Sequence, residues 1–276
     1  DDDFMWQQDE SYVAGEFVWT GFDYLGEPTP YNNAVVKKMG MTDKQASRSS
    51  YFGIVDLVGI PKDRYYLYKS YWKPDETTVH ILPHWNWAGK EGQKVPVFVY
   101  TNGDCAELFV NGKSQGMQCK KPTSKNSTER FRLMWNDVIY QPGEVKAVAY
   151  KEGAKIGESV VKTEGKPYKI KLTPERTVLK PDGSDLSYIL VEAYDKNGNL
   201  CPLANDTINF ELDGLAHIAG VGNGNPQSFE PFQAHHVKLF YGKAMLILES
   251  GFKKGKTKIS AKANGLIKDT VVILTE

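Results

Sequence analysis

The residues best suited to chemistry lie near the start of the chain, in the stretch GEFVWTGFDY at residues 15–24. The stretch begins with apolar residues at successive positions and ends in aromatic and acidic side chains, among them Trp19, Asp23 and Tyr24. An indole offers a broad apolar face, whereas a carboxylate and a phenol offer hydrogen bonds. This combination is typical of the floor of a binding site.

A second group of aromatic side chains lies in PHWNW, residues 83–87, which contains His84, Trp85 and Trp87. Two interpretations fit this loop at the end of a predicted β-sandwich. The three side chains form either an accessory binding surface or a hydrophobic plug between domains. We favour the plug.

Three cysteines, Cys105, Cys119 and Cys201, lack the Cys-x-x-Cys spacing of a zinc or thioredoxin-type site. Cys105 and Cys119 flank a predicted hairpin, so they form either a cross-strand disulfide or, with Cys201, three reduced thiols. The redox compartment stays open at this point. We predict no cofactor and no metal.

The composition excludes several classes of function. The 276 residues include 34 basic and 34 acidic side chains, so the chain has no general attraction to nucleic acid or anionic membrane. No run approaches the roughly 20 apolar residues that span a bilayer. The first residues have neither the features of a signal peptide nor an initiator Met. We therefore expect a piece of a longer protein, with any export signal outside it.

Residues 1–73 differ in pattern from the rest of the chain. A short helix is predicted at Phe4–Glu10, followed by a strand over Tyr12–Thr20 whose continuous apolar character suits a parallel sheet covered on both faces. A long irregular loop follows over Leu25–Ser50, and a loop of that length in a compact domain is usually functional. Aromatic residues at helical spacing then predict a helix over Pro61–Trp72.

From residue 74 onward, short strand patterns alternate with turns, and Asn-Gly or Asp-Gly pairs separate several of them. Residues 74–165 and 166–276 each predict an immunoglobulin-like β-sandwich, with Lys166-Pro167 at the boundary. The predicted fold is mainly β, with two such sandwiches preceded by the terminal piece of a (β/α)8 barrel. The assignment of residues 1–73 to a barrel depends on the family resemblance described next.

The chain resembles glycoside hydrolase family 2, the β-galactosidase and β-glucuronidase family. GEFVWTGFDYLGEPTPY, residues 15–31, is close to the last barrel strand of bacterial β-galactosidases. HILPHWNW (80–87) and ELFVNGKSQG (107–116) resemble the first appended β-domain of such enzymes, and GVGNGNPQSFEPF (220–232) resembles the second. The resemblance covers the whole chain. It implies the C-terminal portion of an exo-acting retaining β-glycosidase.

The resemblance also implies that the catalytic pair lies elsewhere. Retaining glycosidases use two carboxyl groups about 5–5.5 Å apart. In this family both come from earlier barrel strands, in Asn-Glu and Ser-Glu-Tyr/Phe motifs that this chain lacks. Glu16, the one acidic residue in the predicted strand, is interpreted as a structural carboxylate of the barrel wall. We expect no catalytic residue here and an inactive fragment.

Four residues are predicted to bind substrate. The tryptophan that matches Trp19 forms the floor of the glycone subsite in this family; the alternative is a core tryptophan. Asp23 and Tyr24 follow on the loop that would face the sugar, with loop anchoring as their alternative role. Phe52 is the fourth candidate, for packing near the sugar.

One departure from the family pattern concerns substrate choice. Its β-glucuronidases carry an Asn-x-Lys that recognises the sugar carboxylate, just before the glycine that matches Gly53. Ser50 and Phe52 stand at those two places. No cation is left there to pair with a uronate, so a neutral β-galactoside is favoured.

Two other functions remain open: a carbohydrate-binding module, or structural sandwiches that brace the barrel or form a homo-oligomer interface. The expected partners are a β-galactoside substrate and the rest of the catalytic barrel, without nucleic acid or a membrane span. Carbohydrate degradation and immunoglobulin-like appendages are associated with export, so a periplasmic or extracellular bacterial location is expected.

Overall fold

The computed structural model describes all residues from Asp1 to Glu276. The fold is mainly β. Its contacts divide the chain into two compact units, one of Asp1–Gly21 with Pro61–Thr163, the other of Phe22–Ile60 with Glu164–Glu276.

Helices are few and short. The chain contains a 3₁₀ helix at Asp43–Gln45 and four α-helices: α1 (Asp2–Asp9), α2 (Asn33–Lys38), α3 (Asp63–Trp72) and α4 (Ser127–Phe131). Two of them begin at asparagines whose side chains accept backbone N–H bonds, Asn32 at α2 and Asn126 at α4. Such caps satisfy backbone donors that the first helical turn leaves without a partner.

Strands make up most of the regular structure. Those of the first unit are β1 (Val79–Leu82), β2 (Val97–Thr101), β3 (Cys105–Val110), β4 (Lys113–Cys119), β5 (Leu133–Trp135), β6 (Glu144–Lys151) and β7 (Ala154–Lys162). Those of the second are β8 (Lys169–Pro174), β9 (Val178–Leu179), β10 (Leu186–Tyr194), β11 (Thr207–Asp213), β12 (His217–Gly222), β13 (His236–Lys238), β14 (Lys243–Glu249), β15 (Gly255–Lys262) and β16 (Asp269–Thr275).

The first unit contains two antiparallel sheets, ordered β1-β2-β5 and β4-β3-β6-β7. Alternate residues of β3 are buried, as expected for a strand with one face on a core. The core joins residues of both sheets with aromatic loop residues, including Trp85, Val99, Leu108, Leu133, Tyr140 and Val145.

Helices α1, α3 and α4 of this unit meet in an aromatic cluster. The ring of Phe4 lies 4.3 Å from that of Tyr71, 5.1 Å from Tyr68 and 5.3 Å from Phe131. Beside it, the guanidinium of Arg130 donates two hydrogen bonds to the carboxylate of Asp9, at 2.7 and 2.8 Å. The cluster and the ion pair hold α1 against the sandwich.

The second unit contains sheets ordered β12-β14-β10-β8 and β13-β11-β15-β16-β9. Their pairing is antiparallel except between β16 and β9, which run parallel. Fully buried residues from both sheets form the core, among them Ile189, Val191, Ile208, Leu246, Leu248 and Ile259. The segment Phe22–Ile60 belongs to this unit.

The structure agrees with most predicted elements. It confirms a mainly β fold and both helices predicted in residues 1–73. The observed bounds of these two helices are Asp2–Asp9 and Asp63–Trp72. The hairpin predicted between Cys105 and Cys119 is formed by β3 and β4, although the residues of β4 are polar and mostly exposed at a sheet edge. Residues 1–73 are divided between the two units, so their assignment to a catalytic barrel stays a prediction.

The predicted strand over Tyr12–Thr20 is wrong for this chain. Its residues are irregular, and the side chains of Tyr12 and Phe17 are largely exposed. A parallel strand is stabilised by hydrogen bonds to neighbouring strands. Because no sheet of the chain pairs with this stretch, apolar composition alone does not make it a strand.

Candidate functional site

Trp19 lies in the first unit with 76% of its surface exposed. Its peptide bond to Thr20 is cis, and Phe17 nearby is fully exposed. The indole is therefore outside the core that the first unit forms. An accessible indole face is what a sugar platform requires.

Asp23 lies in the second unit, where its carboxylate joins two stretches of chain. The side chain is 4% exposed, and its Oδ1 accepts hydrogen bonds from the backbone N–H of Gly53 at 2.8 Å and from Ser50 Oγ at 3.3 Å. Its own N–H donates to the carbonyl of Val55 at 2.9 Å. The structure thus gives Asp23 an anchoring role; direct contact with sugar stays a prediction.

Gly53 allows these two stretches to approach closely. A Cβ at this position would overlap the backbone nitrogen of Asp23 and would lie 2.5 Å from the carbonyl carbon of Phe22 and 2.8 Å from the carbonyl oxygen of Val55. All three are backbone atoms, which cannot rotate away as a side chain can. Glycine is therefore required here for steric reasons rather than for a positive φ.

Tyr24 and Phe52 lie beside this junction. Ser50 is completely buried: its N–H donates to the carbonyl of Tyr24 at 2.8 Å, and its Oγ accepts from the N–H of Tyr24 at 3.0 Å. The rings of Tyr24 and Phe52 lie 6.1 Å apart, nearly perpendicular, and the Tyr24 hydroxyl donates to the Glu27 carboxylate. The structure therefore brings Asp23, Tyr24 and Phe52 together, with two partly exposed aromatic rings.

The PHWNW loop serves mainly to pack the first sandwich. Trp85 is 1% exposed and its Nε1 donates to the carbonyl of Gln141, so it is a core residue; of the two interpretations of this loop, that burial favours packing over an accessory binding surface. His84 stacks on Trp87 at 4.6 Å, and Lys90 Nζ lies 4.9 Å from the centre of that indole. Burial lowers the pKa of His84, with an opposing effect from Asp63. For His84 and Trp87, accessory binding stays a prediction.

The structural role of the residues after β12 was not predicted from the sequence. Residues 222–230, here called the glycine loop, contact the segment at residues 45–58 that carries Ser50, Phe52 and Gly53. Two glycines spaced by one residue, Gly222 and Gly224, are the signal that could have indicated a close approach.

Within the chain, no cluster of three or more His, Cys, Asp or Glu side chains is arranged to bind a metal ion. No helix combines the length and apolar character needed to cross a membrane.

Comparison with protein-family models gives two matches. Residues 170–272 match the model described as glycoside hydrolase family 2 C-terminal domain 5, which falls within the second sandwich. Residues 92–157 match a domain of unknown function, DUF4982, within the first.

Known proteins resemble the chain along nearly its whole length. It is 44% identical to the β-galactosidase BoGH2A of Bacteroides ovatus, over 98% of this chain and 29% of that protein. It is 31% identical to a β-glucuronidase of Formosa agariphila, over 85% of this chain and 23% of that protein. A family 2 glycosyl hydrolase structure from Bacteroides cellulosilyticus has a TM-score of 0.86 and 32% identity, covering 99% of this chain and 37% of that one.

The chain thus spans less than two fifths of the length of each of these proteins. Its second sandwich carries the family's C-terminal domain, and its similarity extends from there to nearly every residue before it. The chain belongs to glycoside hydrolase family 2 and corresponds to a C-terminal portion of these enzymes.

Proposed function

We propose that this chain is part of an exo-acting retaining β-galactosidase that removes terminal β-galactosides from oligosaccharides or polysaccharides. The observation that carries the choice of substrate is Phe52, an apolar ring where the family's β-glucuronidases have lysine. Identity of 44% to a protein named β-galactosidase supports the same choice.

The neighbours of Phe52 also argue against recognition of a uronate. Ser50, at the position of the family's asparagine, is buried and its hydroxyl bonds to Asp23 and Tyr24. The nearby guanidinium of Arg48 lies 3.6 Å from the centre of the Phe229 ring and donates to the carbonyl of Asp43. Recognition of a carboxylate usually relies on a charged, hydrogen-bonding partner such as lysine or arginine.

Each candidate residue has a role in this proposal. Trp19 offers its exposed indole face to the C–H side of a pyranose, Tyr24 and Phe52 offer partly exposed rings, and Asp23 holds their two segments in place. The acid/base and nucleophilic glutamates come from the rest of the barrel, about 5–5.5 Å apart across the anomeric carbon. Residues 1–276 alone are then inactive.

The test compares substrates on the parent enzyme. We expect turnover of 4-nitrophenyl β-galactoside well above that of the β-glucuronide, and no turnover of either by residues 1–276 alone. Phe52→Lys should shift the ratio of the two kcat/KM values towards the glucuronide, whereas Phe52→Leu, without a charge, should not. A wild-type enzyme that prefers the glucuronide would contradict the proposal.

We also propose that the enzyme is exported. A disulfide joins Cys105 to Cys119, and disulfides persist mainly in oxidising compartments such as the periplasm and the cell exterior. Fractionation of the native host tests this: activity and the disulfide-linked protein should be found outside the cytoplasm, and a cytoplasmic location would contradict it.

A further inference from the structure

The glycine loop, residues 222–230, has an internal framework of its own. The amide of the buried Asn223 donates to the carbonyl of Lys238 at 2.7 Å and to Glu230 at 3.2 Å. Its Oδ1 accepts from the N–H of Asn225 at 3.0 Å, and Asn225 Oδ1 accepts from the N–H of Gln227 at 2.9 Å. The second sandwich therefore holds this loop in one conformation through a chain of side-chain hydrogen bonds.

The glycine loop contacts the segment at residues 45–58 at two points, the first of which is near Arg48. The N–H of Arg48 donates to the carbonyl of Pro226 at 2.5 Å, and the Gln227 amide donates to the carbonyl of Gln45. The Arg48 guanidinium lies 3.6 Å from the centre of the Phe229 ring, a cation–π geometry. Backbone and side chain of Arg48 are thus both held by the loop.

The second point of contact is near Asp56. A Cβ on Gly222 would lie 2.5 Å from Val58 Cγ1, and one on Gly224 would overlap the carboxylate of Asp56. Asp56 Oδ1 in turn accepts from the N–H groups of Val58 and Ile60, at 3.0 and 2.8 Å. The glycine loop therefore packs against a turn that the Asp56 carboxylate holds in place through these two hydrogen bonds.

Between these two contacts lies the stretch that carries the candidate site. Ser50 and Gly53 donate to Asp23, Ser50 also pairs with Tyr24, and Phe52 lies between them in the chain. Both ends of the stretch are fixed by the glycine loop, at residues 48 and 56. A movement of the loop would displace Tyr24 and Phe52 relative to anything bound beside them.

We propose that the glycine loop is a positioning element: the second sandwich fixes the substrate-facing residues Tyr24 and Phe52 through Arg48 and Asp56, without touching the sugar. This inference rests on the proposed function, since it assumes that these rings contact substrate. Small displacements of positioning groups are enough to reduce catalysis substantially. The loop thereby links an appended domain to substrate binding.

Phe229→Ala in the parent enzyme tests this inference. Phe229 is largely exposed, so its loss should leave the unfolding temperature unchanged while it removes the cation–π contact with the Arg48 guanidinium. We expect faster hydrogen exchange in a peptide covering residues 45–58 and a fall of about 10-fold in kcat/KM, mostly through KM. Phe229→Tyr keeps a ring beneath Arg48 and should restore both values.

The matched control is Phe252→Ala, which removes another exposed phenylalanine of the same sandwich outside the loop. It should change neither exchange nor kinetics. The inference is overturned if Phe229→Ala behaves like this control, or if exchange rises while KM and kcat stay at wild-type values. Failure of the proposed function is a separate result, seen in the wild-type enzyme as no turnover of a β-galactoside.

Discussion

The buried carboxylate of Asp23 accepts a hydrogen bond from the backbone N–H of Gly53, which lies thirty positions away in the chain. Its oxygen accepts from a backbone N–H that only glycine can bring close enough. Buried carboxylates are stable when such hydrogen bonds replace those to water. Asp23 therefore holds together the two segments that carry Tyr24 and Phe52.

The steric requirement at Gly53 gives a first prediction. Gly53→Ala places a methyl group against three backbone atoms, so we expect a loss of about 1–3 kcal/mol in the free energy of unfolding. Denaturant unfolding measures this. Gly15→Ala is the matched control, since a Cβ there has no neighbour within 4 Å. Equal stability of the two variants would contradict the requirement.

A second residue-scale prediction concerns Lys120. Burial lowers the pKa of Lys120 to about 8, with Lys151 adding to the effect and Asp104 opposing it. The Lys120 ammonium also donates to the carbonyl of Thr101 at 2.5 Å. Below pH 8 the folded and unfolded states both carry the proton, and burial of the charge lowers stability. From pH 8 to about 10.5 the folded state loses the proton while the unfolded state keeps it, so stability rises with pH.

Lys120→Met removes this titration. The free energy of unfolding of the wild type, relative to that of the variant, should therefore increase by roughly 1–3 kcal/mol between pH 7.5 and 10.5. Subtracting the free energy of unfolding of the variant from that of the wild type cancels the contributions of titratable groups that the two proteins share. A difference that stays constant with pH would show that Lys120 keeps an ordinary pKa in the fold, and one that falls with pH would show that folding raises it; either result contradicts the prediction.

Some of these residues could be predicted from the sequence, and others could not. Trp19, Tyr24 and Phe52 were singled out because the stretches around them match a family, not because composition requires a site there. The use of Ser50 to bind Asp23, 27 residues away, depends on tertiary structure. Nothing in the local pattern of either stretch indicates that pairing.

At the scale of elements, the hairpin of β3 and β4 carries the chain's disulfide. Cys105 and Cys119 are paired across the two strands, and β4 lies at a sheet edge with mostly exposed residues. The disulfide therefore links β4 to β3, and β4 buries little apolar surface that would otherwise stabilise it there. This resolves the two interpretations that the sequence left open for these cysteines.

The disulfide gives an element-scale prediction. The cysteines are 14 residues apart, and closing a loop of about that length contributes about 3 kcal/mol in the chain-entropy treatment. Cys105→Ala/Cys119→Ala should lower the free energy of unfolding by about 2–4 kcal/mol. Dithiothreitol should destabilise the wild type to the same degree and leave the double variant unaffected. Three titratable thiols in the unreduced, denatured protein, instead of Cys201 alone, would contradict the bridge.

Strand predictions succeeded where the neighbours of a strand lie close in the chain. Asn111-Gly112 indicated the β3–β4 turn, and alternating apolar residues indicated β3 and β6. The strand prediction for Tyr12–Thr20 failed because a parallel strand depends on partner strands that are distant in sequence or outside this chain. Local pattern shows which segments are able to pair, but not whether a partner is present.

At the scale of the whole molecule, the chain forms two β units, each with its own core. The alternation of short strands and turns was enough to predict two sandwiches. The family could be recognised only from extended motifs, since many functions share the sandwich fold. The chain covers 29% of the length of BoGH2A, and the proposed chemistry requires glutamates that lie outside it.

The most direct test of the central claim is the effect of Trp19→Ala on the parent enzyme, measured as kcat/KM for 4-nitrophenyl β-galactoside. If this indole, which is exposed in residues 1–276, is a sugar platform, kcat/KM should fall by about 100-fold. Trp6→Ala, which removes another exposed indole, serves as the control and should leave kcat/KM near the wild-type value. A Trp19→Ala enzyme with wild-type kcat/KM would contradict the assignment.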